Sequence, residues 1–69
     1  MANMGMLMNE HEVMTVRDLA AYLQVHASTI YRLLKRGQLP AFKVGRDWRF
    51  NREQIDKWRM AQGQNGHND

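Results

Sequence analysis

Residues 14–40 read MTVRDLAAYLQVHASTIYRLLKRGQLP, and their spacing sets the fold. Thr15 stands before an apolar series, Val16, Leu19, Ala20 and Leu23, that recurs at helical intervals. Thr15 can cap that helix while Asp18, three residues on, returns a bond to the cap's own N–H. Met14 and Leu19 sit where a hydrophobic staple would close the start. The first helix is expected to stop near Gln24. After a three-residue break, Val25-His26-Ala27, a second helix is predicted from about Ala27 to Arg36. Its apolar face is Ile30, Leu33 and Leu34, and its other face carries Ser28, Arg32, Lys35 and Arg36, with Tyr31 at the margin. Gly37 suits the position just beyond the helix end, Lys35 and Arg36 suit its negative pole, and Pro40 forbids continuation.

Beyond Pro40 the period changes to two. Phe42 and Val44 alternate with Ala41 and Lys43, and Trp48-Arg49-Phe50 follows Gly45-Arg46-Asp47. The pattern predicts a β-hairpin with a short glycine-bearing loop. Alternation then predicts Phe42, Val44, Trp48 and Phe50 on a buried face and Lys43 with Arg49 on the exposed one. A third helix is expected after Asn51, with Asn51 and Gln54 as a capping box, Phe50 and Ile55 as staple, Trp58 facing inward, and an end before Gly63.

The flanks show no clean period. Residues 1–13, which hold four of the six methionines, are expected to form a flexible tail, and residues 62–69 a disordered one, leaving residues 14–61 as the folded domain. A chain of 69 residues without cysteine supports one small domain with a thin core and no disulfide or cysteine-based zinc site. It leaves little chain to wall an enzyme's cleft. No apolar run is long enough to span a bilayer, and the N-terminus lacks a signal-peptide pattern. His11, His26 and His67 lie far apart, Ser28 is the only serine, and no phosphate-cradling glycine loop occurs. The expectation is a cytoplasmic protein without catalysis, metal or cofactor, acting as a monomer in solution and cooperatively on its ligand.

Charge points to that ligand. The net charge is +3, but residues 28–52 hold Arg32, Lys35, Arg36, Lys43, Arg46, Arg49 and Arg52 against Asp47 alone. Such a concentration suits a polyanion. Helix, three-residue turn, helix, ribbon, helix is a mostly α arrangement with a β-hairpin wing, a small winged helix-turn-helix. If helix 1 packs on Ile30 and Leu33, the opposite face of helix 2 stands proud, and a helix about 10–12 Å across fits the major groove of double-stranded DNA.

Within that arrangement Arg32 is the first choice for a base-edge contact. Ser28 and Thr29, at the helix start, either bind phosphate and base or simply cap. Tyr31 either reaches phosphate or packs under the wing. Lys35 suits phosphate, and Arg36 suits phosphate or the helix end. Lys43, Arg46 and Arg49 are the wing's cations. Trp48, Phe42, Phe50 and Trp58 are assigned to the core rather than to stacking on single strands.

Taken in order, T-V-x-D-x-A at 15–20, T-I-Y-R-L at 29–33, G-x-L-P at 37–40 and V-G-R-x-W-R-F at 44–50 resemble the DNA-binding domain of the excisionase family, close kin of the MerR-type winged helix-turn-helix. The resemblance covers about residues 14–60. It implies sequence-specific DNA binding through the recognition helix and wing, without strand chemistry. It further implies a role as a recombination directionality factor beside an integrase or recombinase, or as a small transcription regulator beside the transcription machinery. Where that family often has glycine, serine and a basic residue, this chain has Gln24, His26 and Asp47. Only nine residues follow Met60, so effector sensing of the MerR kind is not expected within this chain. A third possibility is a protein-interaction module using the Met-rich N-terminus or exposed aromatics.

Overall fold

A computed structural model of the chain describes residues 12–65, with side chains through residue 63. The elements in order are β1 (Val13–Met14), α1 (Val16–Leu23), α2 (Ala27–Lys35), β2 (Phe42–Val44), β3 (Asp47–Asn51) and α3 (Arg52–Asn65). The fold is a small winged helix-turn-helix: a helical pair, an antiparallel β2–β3 wing and a third helix returning along the body.

The start of α1 follows from its sequence. Thr15 is extended at the N-cap; its Oγ1 accepts from the Asp18 N–H at 3.0 Å, and Asp18 Oδ2 accepts from the Thr15 N–H at 3.0 Å. Two of the orphan donors at the helix start are thereby satisfied. At the other end, the Val25 N–H donates to the Ala20 carbonyl and the Gln24 N–H to the Ala21 carbonyl, a Schellman closure. The closure requires a left-handed residue, and Gln24 takes it, at φ 60° and ψ 47°. The end of α2 repeats the device with the residue best suited to it: Gly37, at φ 67°, donates to the Leu34 carbonyl and Gln38 to that of Leu33.

Met14, Leu19, Ala20, Ile30, Leu39, Phe50 and Ile55 form the buried core, with Leu23, Leu33, Leu34, Trp48 and Trp58 packed against it. Every element except β2 contributes at least one buried residue, so a thin core is shared among pieces that cannot bury an apolar face alone. Ala20, 8% exposed, is buried in the same cluster as Leu19 and Ile30. Trp58 sits half-buried at the loop after α2, and its Nε1 donates to the Gln38 carbonyl at 2.9 Å.

Three expectations are corrected. First, residues 12 and 13 do not lie outside the folded unit. Val13 pairs with Asn51 and Met14 with Phe50, making a three-stranded sheet of order β1-β3-β2, and the Arg52 N–H donates to the Glu12 carbonyl at 2.9 Å. A two-residue strand is too short to show a period, which is why it is invisible in the sequence. Residues 1–11 and 66–69 lie outside the described residues. Second, α3 continues through Gly63 to Asn65, because an interior glycine weakens a helix without removing its hydrogen bond.

The third correction concerns the wing. The strands are joined by two residues, Gly45 and Arg46, with Val44 facing Asp47, Lys43 facing Trp48 and Phe42 facing Arg49. Gly45 takes φ 66° and Arg46 stays in the ordinary half of the map, the pattern of a type II′ turn. Residues directly opposite share a face. The inner face therefore carries Trp48 and Phe50 with Lys43, and the outer face carries Phe42 and Val44 with Arg49. Val44 is 57% exposed. Lys43 and Arg49 do not stand together, because a two-residue loop, unlike a three-residue one, pairs even positions with odd ones.

Candidate nucleic-acid interface

The second helix separates its two faces cleanly. Ile30 is fully buried and Leu33 and Leu34 pack on the core, all on one side. Ser28, Tyr31, Arg32 and Lys35 are exposed on the other, at the i, i+3, i+4, i+7 spacing that aligns side chains along a helix. Tyr31 is 54% exposed, so its ring is not packed under the wing. Thr29 is half-buried at the margin of this stripe, and Arg36 is exposed at the C-cap, at the stripe's other end.

The N-terminus of α2 is weakly closed. His26 occupies the N-cap in extended conformation and makes no side-chain hydrogen bond to the first turn. Its carbonyl accepts from the Thr29 N–H at 2.9 Å, a tight first turn made by the backbone. A helix N-terminus with few internal partners favours an anion nearby, and Ser28 is exposed in its first turn beside the exposed His26 at the cap.

On the wing, Arg46 is exposed in the turn and Lys43 is exposed on β2. The Lys43 ammonium lies over the Trp48 ring, 4.7 Å from its centroid. Arg49 is half-buried on the other face and donates from one terminal guanidinium nitrogen to the Trp48 carbonyl at 2.7 Å. Of the wing's three cations, then, two are directed by contacts within the wing itself. Ser28, Tyr31, Arg32 and Lys35 are brought together; Lys43 and Arg49 are set apart.

Arg52 belongs to a different structure. It counts among the basic residues of 28–52, yet it is 6% exposed. Its guanidinium lies over the Tyr22 ring and donates to the Tyr22 hydroxyl at 3.0 Å, with Asp56 at 3.5 Å and Glu12 at 3.9 Å. The Tyr22 hydroxyl donates to Asp56, and Arg59 reaches Asp56 at 3.8 Å. This polar cluster fastens α3 to α1 and to the strand β1. The only local sign of it is the i, i+4 spacing of Arg52 and Asp56; Tyr22 is 30 residues away.

An exposed polar stripe on the second helix of a helix-turn-helix, with a cation-bearing ribbon following it, defines a winged helix-turn-helix protein. The helix-turn-helix domain family matches residues 13–63, most of the chain, and this chain belongs to that family. It is 38% identical over 52 residues to "Uncharacterized protein YvgK" of Bacillus subtilis (strain 168), an alignment covering 75% of this chain and 17% of that protein. It is 39% identical over 44 residues to "Putative DNA-binding protein Rv0500A" of Mycobacterium tuberculosis (strain ATCC 25618 / H37Rv), covering 64% of this chain and 56% of that one. The chain thus spans about a sixth of the first relative's length and just over half of the second's. No solved structure matches it. Among the described residues, no helix is long and apolar enough to cross a membrane.

Proposed function

We propose that this chain binds double-stranded DNA sequence-specifically, with α2 as the recognition helix and the β2–β3 wing beside it. The observation that carries this is the stripe of Ser28, Tyr31, Arg32 and Lys35, exposed along one side of α2 while Ile30 is sealed on the other. A helix anchored by one face offers the other to the major groove. Arg32, one turn in from the N-terminus, has the reach and the forked donors to bond guanine O6 and N7. Ser28 and Thr29, at the helix start, serve phosphate through hydroxyl and backbone N–H groups. Lys35 and Arg36 follow the backbone along one strand, and Lys43, Arg46 and Arg49 extend the contact through the wing. The DNA-binding description of the mycobacterial relative agrees with this reading.

The role that fits the excisionase-like motifs is architectural: copies bound side by side shape the duplex for a separate integrase, with no bond made or broken by this chain. Regulation of transcription at an operator would use the same surface, and DNA bending separates the two. A marked bend on binding several adjacent sites supports the recombination role; an unbent complex on one site supports the operator role.

The deciding measurement is fluorescence anisotropy of a labelled duplex over a range of salt. With about five phosphates neutralised by Lys35, Arg36, Lys43, Arg46 and Arg49, log affinity should fall against log salt with a slope of about −4.5. A flat response would remove the DNA reading.

A further inference from the structure

We infer that Trp48 is a positioning residue for the wing: its ring face holds the Lys43 ammonium where a DNA phosphate meets it. The inference rests on the duplex-binding reading and deepens it.

Three observations carry it. Lys43 and Trp48 are directly opposite in the ribbon, which puts both side chains on one face. The ammonium is 4.7 Å from the ring centroid, within the range at which a π face attracts a cation. Trp48 is half-buried and packed on the core while Lys43 is exposed, so the interior sets the ring and the ring sets the lysine. Arg49 provides the contrast: its guanidinium is directed by the Trp48 carbonyl, from the opposite face of the ribbon.

The chemistry favours a phosphate that joins this contact over one that breaks it. A lysine stem is long and rich in rotamers, and fixing it on binding costs affinity. A ring that already restrains the stem removes part of that cost. The ammonium has three donors, and a ring below engages only one side of it, leaving N–H groups free for phosphate oxygens. Tryptophan offers the strongest such face among the side chains, phenylalanine a weaker one and leucine none.

The test is a double-mutant cycle on a fixed duplex, read by anisotropy at several salt concentrations. Lys43→Ala should weaken binding and reduce the salt slope by about 0.9. Trp48→Leu should weaken it about two- to fivefold, the loss of one exposed cation–π contact. Trp48→Phe should recover part of that loss. In a Lys43→Ala background, Trp48→Leu should add nothing. An equal loss with and without Lys43 would make Trp48 purely structural and overturn the inference. So would full affinity in Trp48→Leu or in Lys43→Ala. If Lys43→Ala weakens binding and Trp48→Leu does not, the DNA reading stands and only the positioning role falls; salt-insensitive wild-type binding removes both. An NMR measurement needs no variant. The Lys43 ε-methylene protons should be shifted upfield by the ring in the free protein and remain so on the duplex. Their appearance at the position of an unrestrained lysine in either state would overturn the inference even if Trp48→Leu failed to fold.

Discussion

The guanidinium of Arg52 lies 4.5 Å from the centre of the Tyr22 ring, stacking the first residue of α3 on the last turn of α1. A basic residue that charge counting assigns to the DNA-facing surface is instead the joint between the helical pair and the third helix. The cluster around it also reaches Glu12, so an ion pair at the residue before β1 adds to the ladder that holds the strand. The cationic surface left for DNA is smaller and better defined than the sequence count implies.

Removing Arg52 should therefore destabilise the protein. Arg52→Ala takes one of two cations from Asp56, leaving Arg59, and takes the packing from Tyr22. Taking one partner from a buried ion pair costs about 3–5 kcal/mol, and partial exposure of both carboxylates reduces this to about 2–3 kcal/mol. That is a large share of the roughly 3–5 kcal/mol a core this small supplies. Urea unfolding followed by circular dichroism should show it. Arg52→Met, which keeps the stem on the ring, should lose less. Equal stability of Arg52→Ala and the wild type would contradict the structural role.

The end of α1 stores a removable cost. Gln24 is the one described non-glycine residue at positive φ, and a side chain in that conformation costs about 1–2 kcal/mol. Gln24→Gly should raise stability by about 1 kcal/mol, part of the gain being offset by a freer unfolded chain. A lower urea midpoint for this variant would show that the Gln24 side chain makes a compensating interaction.

The N-cap of α2 is the second place where the chain can be improved. His26 gives the first turn no side-chain acceptor, whereas serine there would accept from the second or third N–H. His26→Ser should stabilise by about 1 kcal/mol, read from the thermal midpoint as roughly 4–8 °C for a domain of this size. An unchanged midpoint would mean that the tight backbone turn at Thr29 already satisfies the helix start.

Arg32 and Arg52 should behave oppositely on DNA. Arg32→Ala should lower discrimination between the preferred duplex and a scrambled one by about 1–3 kcal/mol, with little effect on unfolding. Arg52→Met should leave the salt slope of binding unchanged, because its cation contacts protein. Equal loss on preferred and scrambled duplexes in Arg32→Ala would make that residue a backbone contact.

Much of this protein is legible in short stretches of chain. The Thr15–Asp18 box, the glycine closing α2 and the polar stripe of Ser28, Tyr31, Arg32 and Lys35 each depend on residues within a turn or two of one another. A helix converts such spacing directly into geometry, so α1, α2 and the candidate reading face follow from local spacing, whereas α3 outruns the glycine expected to end it. The wing resisted that treatment. Whether Phe42 shares a face with Phe50 or with Arg49 turns on one residue of loop length, and a slip of one reverses every side chain. The pairing of Lys43 with Trp48, the strand at Val13–Met14 and the burial of Arg52 against Tyr22 and Asp56 join parts of the chain far apart in number. No local pattern encodes them, because they arise only when the packed core brings distant segments within bonding distance.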